Sequence, residues 1–80
     1  MAVYGIVVIP DVLNAFLDAR SAGAKIKILD EHSEEIDEKM IGIIEASLDL
    51  PGGSGTLFQR IEYVHYYLRT RSRFETERLR

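Results

Sequence analysis

The sequence predicts an α+β fold: one small domain over residues 1–80 that begins β-α-β and continues into two helices. Three observations carry this expectation. Residues 2–9 form an apolar run dominated by β-branched and aromatic side chains, as in a buried strand. Residues 11–22 space their apolar side chains by three and four, the period of a helix. Residues 24–30 alternate Ala24, Ile26 and Ile28 with Lys25 and Lys27, the period of a strand.

Each element has local support. Pro10 stops the first strand, and Gly5 marks a close approach or a bulge within it. Asp11 sits well at the positive end of the following helix. Val12, Leu13, Phe16 and Leu17 make its apolar stripe, and Gly23 suits a left-handed C-cap. Lys25 and Lys27 would face water, so the second strand reads as a sheet edge.

Ser33 can cap the next helix, with Glu34 and Glu35 in its first turn. Ile36, Met40, Ile43, Ile44 and Leu48 continue at helical spacing, which predicts a helix over 34–48. Gly42 weakens it by about 1 kcal/mol relative to alanine. The rival divides this stretch into a helical turn and a strand, because Ala46, Leu48 and Leu50 alternate with polar residues.

Residues 51–56 read as a glycine-rich internal hinge. Beyond it, Thr56 and Gln59 stand in a Thr-x-x-Gln capping-box pattern. Leu57, Ile61, Val64 and Leu68 make a helical stripe, so a helix is expected over 57–77, with a bend or interruption allowed near Thr70. The rival is a strand over 60–69, where Ile61, Tyr63, Val64, Tyr66 and Tyr67 all favour strands.

Composition narrows the function classes. The chain has 80 residues and no cysteine, so neither a disulfide nor a thiolate metal site can reinforce the core. Association with a second copy is one natural remedy for so small a core. Residues 3–10 are apolar but lack the basic leader and the length of a signal peptide. No apolar run is long enough to cross a bilayer. The sequence reads as a soluble, cytoplasmic protein with no cofactor and no membrane partner.

Charge is divided along the chain. Residues 1–59 hold ten acids against four bases, and residues 60–80 hold three acids against six arginines. The two parts therefore carry about −6 and +3, within a formal net charge of −3. Such asymmetry bears on association rather than on fold.

The strongest functional signal is the aromatic and arginine-rich end. Ile61, Val64, Tyr67, Leu68 and Phe74 are read as apolar anchors of a protein interface. Arg69, Arg71 and Arg73 would meet acids such as Glu34, Glu35 or Glu38 on another surface. This predicts a non-enzymatic interaction module that forms a homo-oligomer or binds another protein, since tyrosine and arginine are favoured anchors. The alternative is single-stranded nucleic acid. Arg60, Tyr63, Tyr66, Arg69, Arg71 and Arg73 supply phosphate donors and stacking rings, against an overall acidic charge.

Other chemistry is thinner. Gly52, Gly53, Ser54, Gly55 and Thr56 could cradle a phosphate with backbone N–H groups, but no lysine follows as in a phosphate-loop fingerprint. A plain connecting loop is the simpler reading. His32 lies among acids and His65 between Val64 and Tyr66, neither with metal-ligand spacing. Glu34, Glu35, Asp37 and Glu38 read as a solvated helix start rather than an acid–base pair. No catalytic or metal-binding residue is expected.

Overall fold

The structure is a computed structural model that describes residues 11–52 and 54–78, Arg78 by its backbone alone. Four helices follow one another: α1 (Asp11–Asp18), α2 (Ala22–Glu31), α3 (Glu38–Ser47) and α4 (Leu57–Arg78), with a 3-10 turn at Ser33–Glu35. No strand occurs among the described residues. The α+β expectation is therefore corrected to an all-helical arrangement. The expected strand over 2–9 lies outside the described residues.

The segment 24–30 is helical rather than the expected edge strand. Its lysine–isoleucine alternation fits a strand, but Ala22, Ile26 and Leu29 also fall at i, i+4 and i+7. Ala22 and Leu29 are buried, and Ile26 packs against the core, so the helical period prevails. Ser21 starts α2 from an extended backbone, and its hydroxyl accepts from the Ala24 N–H at 3.1 Å. That cap ends the first helix earlier than expected. Gly23 becomes the second residue of α2 rather than a C-cap. Lys25 Nζ closes the corner by donating to the Phe16 carbonyl at 2.7 Å.

The expected helix over 34–48 begins later. Ile36 is extended, and Asp37 is the N-cap, its carboxylate accepting from the Met40 N–H at 2.8 Å. Ser33 and the acids beside it form the separate 3-10 turn. Alternation over 45–50 does not produce a strand. Instead Leu50 N–H returns to the Glu45 carbonyl and Asp49 N–H to that of Ala46, the paired bonds of a Schellman ending. Asp49 takes the left-handed position at φ 58°, where glycine is the commoner occupant. Pro51 follows, and Leu50 tucks against the core.

α4 matches its expectation most closely. Thr56 Oγ1 accepts from Gln59 N–H at 3.1 Å, and Gln59 Oε1 accepts from Thr56 N–H at 2.9 Å, so the capping box forms. The helix then runs unbroken past Thr70, and 60–69 is helical rather than strand. Gly55 adopts φ 100°, and a Cβ there would stand 2.5 Å from Gln59 Oε1. Both facts require glycine.

Leu13, Phe16, Leu29, Ile36, Met40, Ile41, Ile44, Val64 and Leu68 form the core together with Ala22. A fully buried leucine or isoleucine stabilises by about 1.5–3 kcal/mol relative to an exposed one. α4 lies antiparallel on α2: Ser72 faces Gly23 near one end, and His65 Nε2 reaches Asp30 Oδ1 at 2.9 Å near the other. α3 is joined to α4 by a two-pronged ion pair. Arg60 Nη2 and Nε donate to Glu45 Oε1 and Oε2 at 2.6 and 3.1 Å.

Candidate interaction surface

α4 presents two different faces because its apolar stripe is narrow. Leu57, Ile61, Val64 and Leu68 recur at i, i+4, i+7 and i+11, which aligns them on one side. Val64 and Leu68 are buried in this chain's own core, and Ile61 packs against it. Tyr67 is half-buried at the rim, where its hydroxyl accepts from Arg71 Nη1 at 3.0 Å. Of the five expected interface anchors, only Phe74 stands largely in solvent, at 62 % exposure.

The arginines and tyrosines divide in the same way. Arg60 is turned inward and held by Glu45, whose side chain is 4 % exposed. Hydrogen bonding to that carboxylate raises the Arg60 guanidinium above its ordinary range. Arg71 folds over the Tyr67 ring. Tyr63, Tyr66, Arg69 and Arg73 face outward. Tyr66, Arg69, Thr70 and Arg73 line a shallow recess of about 400 Å³ on the outer side of the helix. Among the described residues, neither Arg69 nor Arg73 has an acidic partner within ion-pair distance. A ring beside two unengaged guanidinium groups can stack on another ring, accept a cation or lie beside a phosphate.

The loop before α4 offers less to an anion. Gly52, Ser54, Gly55 and Thr56 are exposed, and Gly53 lies outside the described residues. The Thr56 and Gln59 N–H groups, which an anion would need, are already taken by the capping box. The recess beside the loop is lined by Glu45 and Arg60, whose charges answer each other.

Both histidines hold carboxylates. His32 Nδ1 lies 2.6 Å from Glu35 Oε2, and His65 meets Asp30 across the α2–α4 seam. Among the described residues, no group of three or more histidines and acids could hold a metal ion. Glu34, Glu35 and Glu38 are exposed around the 3-10 turn and the start of α3.

One cleft had no sequence signal because its lining comes from distant parts of the chain. It has a volume of about 360 Å³, and Arg20, Lys25, Asp49, Tyr67, Arg71 and Glu75 line it. Burial pulls the Lys25 ammonium below the ordinary lysine range, and Asp18 opposes that shift. Glu75 Oε1 accepts from the Ala22 N–H at 3.1 Å, so an internal carboxylate occupies the start of α2. Three of its charged groups already hold neutral partners: Lys25 the Phe16 carbonyl, Arg71 the Tyr67 hydroxyl and Glu75 the Ala22 N–H.

No described helix is long and apolar enough to cross a membrane. Comparison with protein-family models, with curated proteins and with solved structures finds no match for the chain.

Proposed function

We propose that this chain is a small, non-enzymatic protein–protein interaction module that self-associates through the outer face of α4. The observation that carries the reading is the unengaged Tyr66–Arg69–Arg73 stripe, with the exposed rings of Tyr63 and Phe74 beside it. Tyrosine and arginine contribute large contact areas and directional hydrogen bonds, which makes them frequent anchors of interfaces. The reading takes the cytoplasm as its compartment, which microscopy of a tagged chain tests.

Sedimentation velocity over a range of protein concentrations tests the association. The expected result is a concentration-dependent species heavier than the 9.1 kDa chain. A single 9.1 kDa species up to millimolar protein at physiological salt rejects the reading.

A second reading is single-stranded nucleic-acid binding by the same surface. The placement of Tyr66 beside Arg69 and Arg73 favours it, because one ring can stack on a base while both cations meet phosphates. The chain's net charge of −3 weighs against it. Fluorescence anisotropy with a labelled oligonucleotide at low salt separates the two. Binding that weakens in Arg69→Ala and Arg73→Ala supports the nucleic-acid reading, and no binding at low salt removes it.

A further inference from the structure

The partner surface can be identified from α4 itself. Glu62, Tyr66, Arg69 and Arg73 follow one another at steps of four, three and four residues. In a helix of 3.6 residues per turn they fall within about 60° of one another. All four are exposed. None of the three charged groups has an ion-pair partner among the described residues. Read from one end, the stripe is acid, ring, base, base. Read against its own reversed copy, each acid meets a base and each ring meets a base.

We infer that a second copy of this chain docks α4 against α4, antiparallel, about a two-fold axis midway between Tyr66 and Arg69. This rests on the self-association reading and specifies its geometry. Glu62 of each copy lies opposite Arg73 of the other, and Tyr66 lies opposite Arg69. At about 1.5 Å per residue, Glu62 and Arg73 each stand about 8 Å along the helix from the axis, and Tyr66 and Arg69 about 2 Å. The matched offsets let every pair form twice. The axis also falls at the midpoint of α4, since Leu57 and Arg78 bound the helix at equal distances from it. The two helices therefore overlap along their full length.

The flank of the stripe fits the same register. Tyr63, Thr70 and Phe74 lie together on one side of it, and Tyr63 and Phe74 are 51 and 62 % exposed. In the antiparallel pair, Tyr63 of one copy enters the gap between Thr70 and Phe74 of the other. Its ring can then rest on that phenylalanine, again twice. Rings in contact supply the apolar burial, and the Glu62–Arg73 pairs select this register over its neighbours. A two-fold interface uses the same patch on both copies and closes on itself. By contrast, a head-to-tail contact between arginines of α4 and Glu34, Glu35 or Glu38 of the next copy leaves a free patch at each step, which closes into a ring or extends into an open chain.

Charge exchange combined with sedimentation equilibrium tests the register. The wild-type chain is expected to stop at a dimer. Glu62→Arg and Arg73→Glu alone each place like charges opposite each other and are expected to weaken the dimer about tenfold. The double variant exchanges the charges and is expected to return close to wild-type affinity. Circular dichroism checks that each variant keeps its helix. As an independent measurement, Glu62→Cys with Arg73→Cys in one chain keeps the rings and should yield a covalent dimer on mild oxidation, since these two positions lie opposite each other across the axis and the chain has no other cysteine. A dimer that ignores the single reversals, or is not restored by the double exchange, overturns this register and leaves self-association standing. So does a dimer that fails to cross-link. Growth beyond the dimer overturns the two-fold geometry in favour of a head-to-tail contact. A monomer at every concentration overturns both this inference and the reading beneath it.

Discussion

The first half of α4, residues 57–68, and its second half, residues 69–78, are one continuous helix held by different forces. The first half carries the whole apolar seam: Leu57, Ile61, Val64 and Leu68 pack toward the core, and Arg60 is clamped by Glu45. The second half touches the body through polar groups. Ser72 lies near Gly23, and Glu75 accepts from the Ala22 N–H. Burial therefore fixes where the helix lies, while helix propensity and one terminal contact keep it extended beyond the core. A segment anchored at one end and polar at the other can offer side chains without weakening the interior. This is the arrangement expected of an interaction element.

The comparison can be broken most severely at Leu68. Leu68→Ala removes a side chain that is 1 % exposed and is expected to cost about 2–5 kcal/mol in urea denaturation. Glu45→Gln comes next. It leaves the Arg60 guanidinium facing a neutral amide at a nearly closed site, and the loss should fall between those of Leu68→Ala and Glu75→Gln. A negligible change in melting temperature would mean that the clamp contributes little to the first half. Glu75→Gln should cost only about 0.5–1 kcal/mol, the size of a carboxylate's effect at a helix start. Its larger signature should be local: faster amide exchange over 69–78, with exchange near Val64 unchanged. If both halves respond equally, they are one cooperative unit and the contrast is lost. The smallest effect sharpens the comparison by strengthening the anchored half. Gly42 sits inside α3 beneath Arg60, where an added Cβ would stand 3.9 Å from Nη2, an ordinary contact. Gly42→Ala is expected to stabilise by about 0.5–1 kcal/mol, read as a raised denaturation midpoint.

What was legible follows the same division. Thr56 with Gln59, and the stripe from Leu57 to Leu68, were readable because capping and helical period act locally and agreed with each other. The segment 24–30 is ambiguous in sequence because Lys25, Ile26, Lys27 and Ile28 satisfy two periods at once. Only the packing of Ala22, Ile26 and Leu29 decides between them. Ser33 and Asp37 are both competent caps, and the extended backbone at Ile36 selects the second. For the candidate surface, residue type indicated anchors but not direction. Val64 and Leu68 are apolar enough for an interface, yet their place on the helical stripe turns them inward. Tyr66, Arg69 and Arg73 were picked out by composition. Their exposure follows from the opposite face being the buried one.

The glycine pair around Ser54 has an engineering consequence. A side chain at Gly52 would meet nothing within 4 Å, whereas one at Gly55 would strike the Gln59 amide. A tag, fluorophore or whole guest protein spliced beside Gly52 should therefore be carried without disturbing the helices. The same insertion three residues later would unlatch the start of α4 and release its inner seam.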